Sequence, residues 1–129
     1  MTNRDVYNAA IALAGEVAPD GSSDYQIRST ALLALVYTEC ADLDTRYRLA
    51  NGIDGGGWTP AVSVDLAAAF PLCPVFSGPA AYALAALLTV DENSTLSGSL
   101  YGRFASQMET IRRAIPCSAA PITDRYAFF

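Results

Sequence analysis

The chain has 129 residues, of which 52% are hydrophobic, and its 13 acidic and eight basic residues give a net charge of −5 with no histidine. That length holds one domain. The acidity argues against a surface that grips a phosphate backbone, and because every basic residue is an arginine, the usual histidine and lysine bases of nucleophilic catalysis are missing. Cys40, Cys73 and Cys117 are an odd, widely spaced set with no C-x-x-C pair, so neither a disulfide framework nor a zinc site is expected and a reducing compartment fits. Asp5 and Asn8 stand where a secretion signal needs a basic end and an apolar core. The weakly charged stretch 61–90 is broken by Pro71, Pro74, Gly78 and Pro79 into pieces shorter than a membrane span requires.

Thr2 and Asp5 mark a helix start, and Val6, Ala9, Ala10, Leu13 and Ala14 recur at helical spacing, which predicts a first helix over about 3–15. Residues 19–22 read as a turn. Ser23 with Gln26 forms a capping box for a second helix starting near Asp24. Its apolar positions Ile27, Ala31, Ala34, Leu35 and Thr38 are widened by Leu32, Leu33, Val36 and Tyr37, so most of its surface is expected to be buried. The helix runs to Leu49, unbroken or bent near Cys40, and is ended by Asn51 and Gly52. Acid-before-base pairs four residues apart link Asp24 with Arg28, Asp42 with Arg46, Asp44 with Arg48 and Glu109 with Arg113.

Residues 51–60 read as a loop whose most flexible part is Gly55, Gly56 and Gly57 ahead of Trp58. Val62, Val64 and Leu66 alternate like a short strand, whereas 65–70 fit a helical turn equally well. Pro79 in the first helical position predicts a third helix over 80–90, with Ala81, Ala85 and Ala86 permitting close helix approach. A fourth helix starts near Ser94 or Thr95 and stops at Pro116. Its stripe is Leu96, Leu100, Phe104, Met108, Ile111 and Ile115, with Ser97, Ser99, Arg103, Gln107 and Arg113 facing mostly outward. The reading is all-α: a small antiparallel bundle of about four helices over residues 1–116, a flexible Gly-rich loop, and an extended tail over 117–129.

No catalytic, cofactor-binding or metal-binding residue is expected. Cys40 has Asp44 one helical turn away, which raises a thiol's pKa instead of activating it, so Cys40 belongs to the core. Glu39 and Asp42 lack the further oxygen ligands that a hard cation needs. The triple glycine is followed by Trp58 and not by the Gly-Lys-Ser/Thr of a phosphate loop. Asn93 at the start of a sequon reads as a helix cap. The tail residues Arg125, Tyr126, Phe128 and Phe129 are too apolar to stay wet, which marks them as partner-binding unless they fold back on their own subunit.

Residues 71–116 carry a resemblance. Pro71, Leu72, Cys73 and Pro74 lead into the run Pro-Ala-Ala-Tyr-Ala-Leu-Ala-Ala-Leu-Leu at 79–88; Asp91, Glu92 and Asn93 follow, then Leu100, Tyr101, Gly102, Arg103, Phe104 and Met108. With the opening run Arg-Asp-Val-Tyr-Asn-Ala-Ala at 4–10, the chain resembles the small head-to-tail connector (portal adaptor or neck) proteins of tailed bacteriophages and prophages. The resemblance implies a non-enzymatic virion protein, present in the host bacterial cytoplasm before assembly and in the virion neck afterwards. Its copies would form a homo-oligomeric ring of about a dozen below the portal protein and receive a downstream neck or tail protein. DNA would pass nearby without specific binding. The triple glycine and the all-arginine basicity depart from the family pattern. The rival reading is a monomeric helical protein-interaction module or prophage-encoded regulator.

Overall fold

The computed structural model describes residues 1–15 and 23–115. The turn at 19–22, Cys117 and the whole tail, including Arg125, Tyr126, Phe128 and Phe129, lie outside the described residues, as do the side chains of Ser23 and Asp24 on which the expected cap and the Asp24 to Arg28 pair depend. The described chain is all-α, with helices α1 (Asn3–Leu13), α2 (Ser23–Ala50), α3 (Ser77–Thr89) and α4 (Ser94–Ala114). A short 3-10 turn, Pro74–Phe76, leads into α3.

Helix α3 is the centre of the domain and packs against α1, α2 and α4. Ala80, Ala81, Ala83, Leu84, Ala85, Ala86 and Leu88 are all buried, and the small side chains let the other helices come close. At Gly78 an added methyl would sit 3.2 Å from Gln107 Oε1, so the start of α3 and the end of α4 meet at a glycine. Ser97 Oγ donates to the Ala86 carbonyl (2.7 Å) near the other end of the same hairpin, making α3 and α4 antiparallel. The Tyr25 hydroxyl donates to the Glu92 carboxylate (2.6 Å) and ties the start of α2 to the α3–α4 turn, so α2 also runs against α3. Helix α2 and helix α4 therefore run the same way on either side of α3.

The starts and stops follow local chemistry. Asp5 accepts from the Thr2 backbone N–H (2.8 Å), an orphan donor ahead of α1, and this contact holds the Asp5 carboxyl below its usual range. Asn93 Oδ1 accepts from Leu96 N–H (3.0 Å), confirming the cap on α4. Helix α2 continues unbroken past Cys40 and closes with Gly52 at φ +67°, where Ile53 N–H reaches back to the Arg48 carbonyl (2.9 Å).

Three sequence expectations are corrected. Of the expected stripe Ile27, Ala31, Ala34, Leu35 and Thr38 only Ala34 is buried; the other four point outward, with Ile27 71% and Leu35 62% exposed. The buried face is instead Tyr25, Ser29, Leu33, Val36, Tyr37, Cys40, Leu43 and Asp44. Apolar residues circle the first half of this helix, so periodicity could not select a side. The choice is made by the polar anchors Tyr37 and Asp44, which have buried partners to reach. Helix α3 begins at Ser77 rather than Ala80, placing Pro79 third in the helix, where its missing N–H still costs nothing because first-turn donors are unpaired anyway. Ser97 and Gln107 do not face outward: Ser97 is buried and Gln107 is half-buried against Gly78. The stripe of α4 is as expected, with Leu100, Phe104 and Ile111 buried and Leu96, Met108 and Ile115 packed at its margins.

Residues 61–70 resolve the open choice as neither strand nor helix. They form an irregular segment with one antiparallel bridge, Thr2 to Ala69, lying across the start of α1. The Ala68 and Leu66 carbonyls accept from the Asn3 and Arg4 N–H groups (3.0 and 2.9 Å), so the loop supplies partners for unpaired helix donors. Asn3 is the junction. Its Nδ2 donates to the Asp65 carbonyl (2.8 Å) while its Oδ1 accepts from the Tyr37 hydroxyl (2.7 Å).

Candidate interaction surface

The loop between α2 and α3 is anchored by one buried ion pair. Asp44 is 1% exposed and Arg48, one turn later, is 16% exposed, with Nε donating to Asp44 Oδ2 at 2.9 Å. The rest of the guanidinium fork reaches across the loop: Nη1 donates to the Gly55 carbonyl (2.8 Å) and Nη2 to the Pro71 carbonyl (3.0 Å). The second Asp44 oxygen accepts from the Cys73 backbone N–H (2.9 Å). A planar, always-charged fork can satisfy three acceptors at once, which a lysine could not do with the same geometry.

This arrangement gives the triple glycine a specific role. Gly56 has φ +75°, and an added methyl there would lie 2.8 Å from Arg48 Nη1, so the chain wraps the guanidinium at van der Waals range. The loop is thus pinned at Gly55 and, beyond it, at Trp58, whose Nε1 donates to Thr38 Oγ1 (3.0 Å). The Trp58 and Phe70 rings meet the Tyr37 ring edge-on at 5.3 and 5.5 Å. The expected loop site Gly55, Gly56, Gly57 and Trp58 is therefore brought together around α2 as a structural clasp.

No other cluster of reactive side chains gathers among the described residues. Among the described residues no group of three or more histidine, cysteine or acidic side chains is placed to hold a metal ion. Asp44 faces inward, whereas Glu39 and Asp42 are exposed. Burial, and secondarily the Glu39 and Asp44 carboxylates, push the Cys40 thiol up to about 12, which leaves it an inert core residue. Burial likewise raises the Cys73 thiol, with the adjoining Asp44 adding to the effect. Several arginines are occupied by acids: Arg46 pairs with Asp42 (3.1 Å), and Glu109 accepts from both Arg112 and Arg113 (3.2 Å to the latter). The Arg112 hydrogen bond is the main cause of the lowered Glu109 pKa.

What remains is surface. A groove lies between α2 and α4 with α3 as part of its floor. One section, a cleft of about 310 Å³, is walled by Leu35, Val36, Ala83, Leu87 and Tyr101; the adjoining section, about 430 Å³, has Leu43 and Met108 at its base and Asp42, Arg46, Glu109 and Arg112 on its rims. Glu39 belongs to both and marks the boundary. Sequence reasoning missed this groove because it assigned Leu35 to the core. The signal that could have found it is Tyr101, a large aromatic off the α4 stripe that is 51% exposed.

No helix among the described residues is long and apolar enough to cross a membrane. Compared with known proteins, the chain matches no family model, no curated protein and no solved structure. The class that fold and surface define is a small all-α domain with an outward apolar face.

Proposed function

We propose that this chain is a structural, non-enzymatic component of a tailed phage or prophage, a head-to-tail connector whose copies form a ring beneath a portal protein and pass DNA without gripping it. The observation that carries the reading is the outer surface of α2, where Ile27 and Leu35 stand in solvent and Leu35 shares a cleft with the exposed Tyr101 of α4. Large apolar side chains clustered on an outer face suit contact with another subunit. A heterologous contact between such a face and a different patch on the next copy closes into a ring when the rotation is right. The net charge of −5 and the arginines already paired with acids suit a wall past which DNA slides. The sequence likeness over residues 71–116 supplies the phage setting, the portal and neck partners, and the virion location.

Size-exclusion chromatography with light scattering, followed by negative-stain microscopy with and without a portal assembly, tests the proposal. Rings, or a defined oligomer that forms on the portal, are the expected result. A monomer at every concentration that ignores the portal would sink it and favour the interaction-module reading.

A further inference from the structure

We propose that in the free state two copies pair about a two-fold axis at Ala31, α2 lying antiparallel on α2, with each Ile27 set against Leu35 of the second copy at the mouth of its cleft. The pairing rests on the outer α2 face that the connector reading also uses, but on no ring, portal or phage setting.

The face selects its own copy by pattern. Ile27, Ala31 and Leu35 are all exposed and follow one another at four-residue intervals, which makes them one ridge on the outside of α2. Large, small and large read the same from either end, so the ridge matches itself when turned around. The small residue falls at the centre, where two helix axes can approach to about 8 Å, the close end of helix packing. Eight residues, about 12 Å of helix, separate Ile27 from Leu35, so a two-fold through Ala31 brings each Ile27 opposite Leu35 of the second copy.

Beside Leu35 lies a socket. The cleft of about 310 Å³ has Ala83 and Leu87 of α3 in its walls, whereas Ala81 lies with Val6 and Ala9 of α1. At 3.6 residues per turn Ala83 and Leu87 fall on the far side of α3 from Ala81, so the cleft opens where α1 leaves that helix uncovered. An isologous pair fills two such clefts in one contact, because each copy supplies one Ile27 and one socket. Direction agrees as well: α2 and α4 run the same way, so an incoming helix antiparallel to α2 opposes the macrodipoles of both walls. Size sets the strength. Ile27, Leu35 and Tyr101 are the only large exposed apolar side chains on this face of the described residues. A contact built on them lies at the small end of specific interfaces, below about 1,200 Å² in total, which makes an exchanging pair of roughly micromolar affinity. A platform that takes the same face then competes with the pair, and assembly starts with its separation.

The test uses the full chain. Sedimentation equilibrium from about 1 to 500 μM should show monomer and dimer exchanging, and Leu35→Glu should weaken the dimer at least about tenfold. Ala31→Arg and Ala31→Glu should each weaken it by a similar factor, since each sets like charges face to face on the axis; circular dichroism checks that these exposed positions leave the fold intact. An equimolar mixture of the two should recover a heterodimer to within about threefold of the wild-type affinity, which happens only if Ala31 meets its own counterpart. In a Cys117→Ser background, Ile27→Cys and Leu35→Cys chains should form a disulfide with each other on oxidation and not each with itself. A wild type that stays monomeric throughout, a mixture that fails to recover, or Ile27→Cys chains that link to themselves as readily overturns the pairing. A ring or open chain in place of the dimer also overturns it and leaves the connector reading standing. A dimer that forms no ring on a portal assembly supports the pairing and sinks the connector reading instead.

Discussion

The backbone N–H of Cys73 donates to Asp44 Oδ1 at 2.9 Å across 29 residues of sequence, joining the end of the long loop to the middle of α2. With Arg48 on the other oxygen, Asp44 is a buried carboxylate whose two acceptor atoms are both used. Asp44→Ala would leave Arg48 and the Cys73 N–H without their partner. We expect a loss of about 3–5 kcal/mol of stability, the range for removing one member of a buried pair. Urea unfolding followed by circular dichroism measures it, and a loss below about 1 kcal/mol would show that the clasp is not a stabilising unit.

Gly56→Ala adds a methyl at 2.8 Å from the Arg48 guanidinium and at a positive φ. Two separable effects are expected: backbone strain of about 1 kcal/mol, and a further cost from displacing Arg48. In the background of Arg48→Ala the second part should vanish while the first persists. A double-mutant cycle with no coupling would mean that the two residues do not touch in solution.

Cys40 predicts both reactivity and a pH response. With its thiol pushed from an ordinary 9.0 up to about 12, Cys40 holds its proton in the folded state where an unfolded thiol would lose it. The unfolded state therefore binds fewer protons above pH 9, and stability falls as pH rises. The contribution is intact below pH 9 and is lost toward pH 12, at up to about 1.4 kcal/mol per pH unit. Burial of the Tyr37 hydroxyl acts in the same direction at higher pH. Thermal melts from pH 8 to 11 should show the decline, and Cys40→Ala should flatten it. Mass-spectrometric alkylation at pH 8 should leave Cys40 unlabelled until the chain unfolds; labelling at the rate of a free thiol would contradict the placement.

Tyr37→Phe removes the hydroxyl that holds Asn3, and Asn3→Ala removes in addition the donor to the Asp65 carbonyl. We expect about 1–2 kcal/mol for the first and more for the second, since each leaves a buried polar group unpaired. Hydrogen exchange at the Asn3 and Arg4 amides should rise in both variants, because those amides depend on the 66–68 carbonyls staying in place.

Leu35→Glu separates assembly from folding. Leu35 is 62% exposed, so the substitution should change stability by no more than about 0.5 kcal/mol. If the α2 face is the contact between copies, the same variant should lose oligomer formation on light scattering. Unchanged assembly would move the contact elsewhere.

How far these features can be read from sequence depends on where each side chain finds its partner. The stripe of α4 was legible because Leu100, Phe104 and Ile111 alternate with polar residues, so periodicity has one solution. Helix α2 was legible in extent but not in orientation, since Leu32, Leu33, Val36 and Leu35 offer several equally apolar faces. The spacing of Asp44 and Arg48 was visible, as was the glycine run. Their meeting was not, because Arg48 binds the carbonyls of Gly55 and Pro71, and a carbonyl leaves no trace in residue type. The segment 61–70 misled for a related reason: its order comes from donors at the start of α1, far away in the chain. The groove needed the relative placement of α2 and α4, which no local pattern encodes.

The central position of α3 has a consequence for how the domain comes apart. Every other helix leans on this one alanine-rich rod. No outer helix can be given up without baring part of it, and the rod cannot loosen without releasing all three neighbours. Melting should therefore be a single event, with the amides of residues 83–88 the last to trade hydrogen for deuterium.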